Sequence, residues 1–193
     1  MKRLWLPFLI LMIVTGSCRS TKPVADNKPA IKSSSTTTDA AVAEVNFHDQ
    51  TTWILGYFKP VQLTRPPYSS WYFKGYDDYQ FKTEALNKLL DLGTDGISIK
   101  VVMGIWCPDS RREVPRFMKI IDTWHFPAEK LVFIGVDDAK QSPIGEYSSL
   151  NIQRVPTFIF YKNNIEAGRI IENPVTSLEQ DMVNILTGAN TNK

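Results

Sequence analysis

The sequence predicts an α/β fold in which one mixed central sheet is flanked by helices. Two short runs rich in β-branched residues, 97–104 and 131–136, indicate buried strands with a helical pattern between them. Two further strands and a final helix follow, so the predicted order is β-α-β, a connecting segment, then β-β-α. Parallel and antiparallel strands in that order imply one mixed sheet, and we expect helices on both of its faces.

Two predicted helices flank the first of these strands. Residues 82–92 have apolar side chains at helical spacing, and Gly93 is a typical helix end. The second helix opens after Cys107 and extends to about Trp124. Its inner face carries Val114, Phe117, Ile120, Ile121 and Trp124.

The last part of the folded chain predicts a hairpin and a capped helix. Strands are expected at 157–161 and 166–171, and the short Asn163-Asn164 connection favours a turn with positive φ. Ser177 and Gln180 have the spacing of a capping box, which begins the last helix.

Residues 45–81 form an aromatic-rich extension, which we expect to pack on the domain of residues 82–193. The extension holds half of the aromatic residues of the chain, and Pro66-Pro67 excludes a continuous helix there. The pattern predicts a short strand around 53–58, an extended proline segment, and then a helix that starts after Asp77 or Asp78.

The first 44 residues have the composition of an export signal and a tether. Residues 1–17 carry a basic start and an apolar run of about 11 residues. As a helix this run is shorter than a bilayer core of about 30 Å, so it indicates an export signal and not a permanent membrane span. Residues 18–44 are rich in Ser, Thr, Lys, Pro and Ala, without apolar periodicity. They cannot bury enough surface to offset the entropy of ordering, so we predict a disordered tether.

The small residues that end at Cys18 resemble the bacterial lipobox, in which the signal is cut before a cysteine that is then acylated. Thr15 departs from the usual Leu, Val or Ile, and the alternative is a plain signal peptide with an incidental cysteine. The resemblance implies lipidation of Cys18 and a lipid-anchored position in the bacterial cell envelope, facing the periplasm. Acyl chains on this residue would attach the protein to the membrane.

Charge and histidine content exclude several classes of function. The formal net charge of +2 gives no reason to expect a nucleic-acid partner, and loss of Lys2 and Arg3 with the signal leaves a neutral chain. The two histidines, His48 and His125, are not clustered with a cysteine, so we predict neither a metal site nor a cofactor.

The two cysteines, Cys18 and Cys107, could form one disulfide, a redox pair or two unrelated thiols. Cys107 directly follows a predicted strand and opens a predicted helix. The free N–H groups and the dipole of a helix N-terminus stabilise a thiolate, which is the nucleophilic form. Arg111 and Arg112 favour that thiolate further, whereas Asp109 opposes it.

Four motifs in order resemble the thioredoxin superfamily over residues 82–187. They are the W-C-P-D-S site at Trp106-Cys107-Pro108-Asp109-Ser110, the helix proline Pro115, the cis-proline segment Arg154-Val155-Pro156-Thr157 and the hairpin Lys162-Asn163-Asn164. The resemblance implies a thioredoxin fold with Cys107 as the nucleophile. It also implies that Trp106 and Pro108 shape its surroundings, and that Val155-Pro156 present a peptide substrate.

Two departures from the family pattern change the expected chemistry. Ser110 replaces the second cysteine of the motif, and Val101 replaces the buried acid that serves it. An internal disulfide cannot form, and an acylated Cys18 cannot substitute, so a self-sufficient dithiol oxidoreductase is excluded. We expect Ser110 to hydrogen-bond the thiolate instead.

A single nucleophilic cysteine predicts a monothiol reductase or isomerase, or an acceptor of sulfenic acids, resolved by an external thiol. Its expected partners are envelope proteins with disulfides or oxidised cysteines. A glutaredoxin-like variant and a peroxide-responsive thiol stay open, whereas the residues before Cys107 disfavour a one-cysteine peroxiredoxin. The alternative is a non-catalytic peptide-binding module. In it Cys107 is idle. Most of the aromatic extension should form core and an added layer over the sheet, although Trp71, Tyr72 and Tyr76 could instead line a groove near Cys107 that selects a peptide partner.

Overall fold

A computed structural model describes residues 44–189, and a five-stranded mixed sheet lies at the centre of this part. The strand order is β1-β3-β2-β4-β5. The strands are β1 (Gly56–Phe58), β2 (Ile97–Met103), β3 (Leu131–Gly135), β4 (Thr157–Lys162) and β5 (Ile165–Ile171). The helices are α1 (Ser69–Asp78), α2 (Thr83–Asp91), α3 (Pro108–Thr123) and α4 (Leu178–Leu186).

The sheet combines one parallel pair with antiparallel neighbours. Strands β2 and β3 are parallel, with α3 in the connection between them, while β1 and β4 run antiparallel to that pair. Strands β4 and β5 form the expected hairpin, in which Asn163 and Asn164 have φ of 51° and 65°. The predicted order of elements from β2 to α4 is therefore confirmed.

The two faces of the sheet are covered unequally. All four α helices contribute to the main apolar cluster, which includes Ile99, Val101 and Phe158 from the sheet. A smaller cluster on the other face is covered by the segment that leads to β4, in which Tyr147–Leu150 form a short 3-10 helix. The described helices therefore lie on both faces as expected, with the four α helices on one face and only a short 3-10 helix on the other.

Helix α1 is the main departure from the predicted elements. The sequence predicted an extended segment up to Asp77, whereas a helix begins two residues after Pro67 and ends at Asp78. Its residues, S-S-W-Y-F-K-G-Y-D-D, are mostly poor helix formers, so intrinsic propensity does not predict it. Packing stabilises it instead, because Tyr72 is only 5% exposed in the main cluster.

The close approach of α1 to α3 depends on Gly75. A Cβ atom at this position would lie 2.6 Å from Cγ of Pro115, inside van der Waals contact. Pro115 is the proline within α3 that the motif comparison singled out. The glycine therefore allows two helices to pack where any larger residue would separate them.

The expected signal peptide, Cys18 and all of the tether except Glu44 lie outside the described residues. Within residues 44–189, no helix is both long enough and apolar enough to cross a membrane.

Gly75→Ala should lower the free energy of unfolding by up to about 2 kcal/mol in chemical denaturation. Overpacking costs about 1–3 kcal/mol, and the gain in helix propensity offsets only about 1 kcal/mol of that cost. Gly145→Ala is the control, because no atom lies within 4 Å of its Cβ position. The control should leave stability within about 0.5 kcal/mol or raise it slightly. A Gly75→Ala variant more stable than the parent would contradict the close packing of α1 on α3.

Candidate active site around Cys107

Cys107 is the N-cap residue of α3, directly after the loop that leaves β2. Its backbone is extended, with φ −79° and ψ 120°, and its carbonyl accepts the first helical hydrogen bond, from the N–H of Arg111 at 3.1 Å. Pro108 follows as the first helical residue, where the missing N–H of proline costs nothing. The thiol therefore lies at the helix end that favours negative charge.

The thiol of Cys107 faces the segment that precedes β4. Its Sγ donates a hydrogen bond to the carbonyl oxygen of Val155 at 3.2 Å, and the Val155–Pro156 peptide bond is cis. The residue is 6% exposed and belongs to the smaller apolar cluster. The structure thus brings together Cys107 and Val155, which are 48 residues apart.

Trp106 covers the loop on the other side of the thiol. Its Nε1 donates to the carbonyl of Val136 at 3.3 Å, and the indole lies against Gly104 so closely that a Cβ atom there would be 2.5 Å from Nε1. Pro108 is exposed beside it. These two side chains flank Cys107 at its boundary with solvent.

Ser110 has a different partner from the one that we expected. Its hydroxyl oxygen accepts a hydrogen bond from the backbone N–H of Gly104 at 3.3 Å, and the side chain is fully buried. No hydrogen bond joins Ser110 to the sulfur of Cys107, so the expected bond to the thiolate is wrong. The serine instead fixes the loop that leads to the cysteine, because Gly104 is otherwise a buried donor.

The charges of Asp109 and Arg112 compensate each other. The guanidinium of Arg112 lies 2.6 Å from the Asp109 carboxylate and 2.8 Å from the buried carboxylate of Glu113, and it also donates to Asn173. The hydrogen bond to Glu113, followed by the pairing with Asp109, raises the pKa of Arg112. Arg112 therefore contributes little to the field at the thiol.

Within residues 44–189, Arg111 has no carboxylate partner, and its guanidinium is bonded to the loop directly before the cysteine. Its Nη1 donates to the carbonyls of Ile105 and Trp106 at 2.7 and 3.0 Å, and its guanidinium lies 4.9 Å from the ring centroid of Phe47. Burial lowers the pKa of Arg111, and the negative charge of the Cys107 thiolate acts in the opposite direction. Of the two arginines in the first turn, Arg111 is the one that bonds the residues directly before the cysteine.

Other expected groups lie elsewhere. Tyr72 is buried in the main cluster, and Tyr76 donates to Asp122 at 2.8 Å. Asp122 is 15 residues beyond Cys107, about 22 Å along α3. Tyr72 and Tyr76 therefore do not line a groove at the thiol. Within residues 44–189, no group of three or more His, Cys, Asp or Glu side chains has the arrangement of a metal site.

The sequence matches no protein-family model and no curated protein. Among solved structures it is similar to thioredoxin O2 of Arabidopsis thaliana in the oxidised state, with 20% identity, 53% of this chain and 82% of that chain covered, and a TM-score of 0.34. A Malassezia sympodialis thioredoxin is 29% identical over 41% of this chain and 65% of its own, with a TM-score of 0.29. A yeast mitochondrial 1-Cys peroxiredoxin is 22% identical over 50% and 85%, with a TM-score of 0.31.

The strand order and the order of elements define the fold of this chain. A parallel βαβ unit, an antiparallel hairpin beside it and a final helix, in one sheet of order β1-β3-β2-β4-β5, form a thioredoxin fold. Cys107 lies at the start of α3 and beside the residue before Pro156, which are the positions that the motif resemblance indicated for the nucleophile.

Ser110→Ala should lower the free energy of unfolding by about 1–2 kcal/mol, because it leaves the buried N–H of Gly104 without an acceptor. Urea denaturation measures the change. Ser149→Ala removes an exposed hydroxyl that bonds only a nearby carbonyl, and it should cost less than about 0.5 kcal/mol. Equal stabilities of the two variants would show that the Ser110–Gly104 hydrogen bond does not support the loop.

Proposed function

Starting from a thioredoxin fold with one thiol at its site, we propose that the protein carries out thiol–disulfide exchange through Cys107 alone. The observation that supports this most is the position of the sulfur. It lies at the N-terminus of α3, 3.2 Å from the carbonyl of Val155, and Arg111 bonds the carbonyls of the two residues before Cys107. A positive helix end and a neighbouring cation favour the thiolate, which is the attacking species.

The exchange takes place in two displacements. The Cys107 thiolate attacks one sulfur of a partner disulfide, so that a mixed disulfide forms and the other partner sulfur leaves as a thiolate. An external thiolate then attacks the mixed disulfide and releases Cys107. With a sulfenic acid as the partner, the same attack forms the mixed disulfide and hydroxide leaves.

Deprotonation of Cys107 also prepares the backbone beside it. The thiol donates to the carbonyl of Val155, but a thiolate has no proton to donate. Ionisation therefore frees this carbonyl for a backbone N–H of an extended partner. Nucleophile activation and exposure of a peptide contact at Val155 would then occur in one step.

The second displacement requires a thiol from outside the chain. Position 110 is a buried serine that bonds Gly104, and Val101 supplies no acid behind it. The remaining cysteine, Cys18, is proposed to carry lipid. We therefore propose a lipid-anchored envelope protein whose partners contain disulfides or oxidised cysteines, with a separate thiol reductant.

A second candidate function follows from the burial of the sulfur. Cys107 is 6% exposed and packs in an apolar cluster with Val155 and Tyr147, which suits a structural side chain as well as a nucleophile. In this case the protein is a peptide-binding module of the same fold, and the segment at Val155 holds partners without a covalent step.

Isolation of the protein from cell envelopes without reductant should yield mixed disulfides on Cys107, identified by mass spectrometry after thiols are blocked. Captured partners accumulate because nothing within the chain can release them. Cys107→Ser should capture none. Ser110→Cys should capture fewer, because the new thiol attacks the mixed disulfide and releases the partner.

A uniformly free Cys107 thiol after mild oxidation of the envelopes would contradict the exchange reaction. Partners that bind Cys107→Ser as well as the parent, without a covalent bond, would support the binding module. Equal capture by the parent and Ser110→Cys would show that position 110 cannot take part in resolution.

A further inference from the structure

Phe47 lies on Arg111 although the two residues are 64 positions apart. The guanidinium lies 4.9 Å from the ring centroid, and cation–π contacts at this distance are attractive, more so when water is excluded. The same guanidinium bonds the carbonyls of Ile105 and Trp106, the two residues before Cys107. We call this arrangement the Phe47–Arg111 clamp.

Phe47 is itself held by neighbours from the aromatic extension. Its carbonyl accepts a hydrogen bond from Trp53 Nε1 at 2.9 Å, and its ring contacts Tyr68 at 6.4 Å and Trp71 edge-on at 6.5 Å between centroids. Tyr68 in turn donates to the carbonyl of Thr52 at 2.9 Å. These contacts fix the ring, so the guanidinium has a defined surface to lie against.

The other charged groups near Cys107 are already compensated. Asp109 and Arg112 form an ion pair, and Arg154, next to Val155, pairs with Glu172 at 2.9 Å. Tyr147, in the cluster around the thiol, stays neutral because burial raises its pKa to about 12. Among the described arginines near the thiol, Arg111 is thus the one without an ion-pair partner.

We propose that Phe47 is a positioning residue for the nucleophile: the clamp holds the Arg111 cation beside Cys107, which makes the aromatic extension a part of the active site. The two carbonyls bonded by Arg111 belong to the residues directly before Cys107, so they fix the guanidinium at the loop that carries the thiol. A cation held at that loop attracts the thiolate. This inference rests on the proposed role of Cys107 as a nucleophile.

The test is the pH profile of alkylation of Cys107 by iodoacetamide in the full chain, followed on its peptide by mass spectrometry. Arg111→Gln should slow alkylation at pH 7 by about three- to ten-fold and raise the pH of half-maximal rate by about half to one unit. Arg111→Lys should restore part of the rate, because it keeps the charge. Phe47→Leu should shift the profile in the same direction by a smaller amount.

A double variant tests whether Phe47 acts through Arg111, because the effects of the two single substitutions on the pH profile should then not add. The double variant Phe47→Leu/Arg111→Gln should have the profile of Arg111→Gln alone. Matched controls lie further along α3, where Arg116 stacks on Tyr79 at 5.7 Å and Lys119 on Phe81 at 5.4 Å. Arg116→Gln and Phe81→Leu should keep the parent profile.

An unshifted profile in Arg111→Gln, or a Phe47→Leu effect that persists in full in the Arg111→Gln background, would overturn the clamp. Alkylation needs no disulfide, so the outcome is separate from the proposed exchange reaction. If the parent forms mixed disulfides but Arg111→Gln has the parent pH profile, the clamp is overturned and the exchange reaction is not. A shifted profile without any mixed disulfide would overturn the exchange function alone.

Discussion

The contact between the Cys107 thiol and the Val155 carbonyl is the constraint on which the site depends. It requires that the last residues of β2 and the first residues of β4 lie side by side at the same end of the sheet. The antiparallel register that pairs Val102 with Thr157 provides this. The loop after β2 then has only a few residues in which to reach the helix N-terminus. Ser110 fixes that loop through Gly104, so a residue that cannot resolve a disulfide still supports the nucleophile.

Among the charged side chains that the structure describes near Cys107, Arg112 and Arg154 form ion pairs, whereas Arg111 does not. Arg112 is held by two carboxylates, whereas Arg111 is held by carbonyls and by the ring of Phe47. A dipole and a single cation are modest influences, each typically around 1 kcal/mol at a partly exposed site. The position of the Arg111 guanidinium relative to the thiol therefore matters. The aromatic extension contributes to that position through Phe47, which is 64 residues earlier in the chain.

Short sequence patterns predicted the strands, the hairpin and the capped helix, because these elements depend on residues that are near each other in the chain. The β-branched runs gave β2 and β3 their assignment, Asn163-Asn164 marked the hairpin, and Ser177 capped α4 as its spacing indicated. Helix α1 could not be predicted, because packing of Tyr72 and Gly75 on α3 overrides weak propensity. In the site, motif spacing located Cys107 and Val155. The partners of Ser110 and Arg111 depend on how the loop and a distant ring come together.

The central claim is that one thiol attacks and nothing in the chain resolves the product. It can be tested by reaction of the native protein with an aromatic disulfide that releases a coloured thiolate. We expect Cys107 to release a single equivalent of thiolate and to form an adduct that persists until an external thiol is added, and we expect no such adduct in Cys107→Ser. A native protein that releases thiolate only after unfolding, or an adduct that resolves without added thiol, would contradict it.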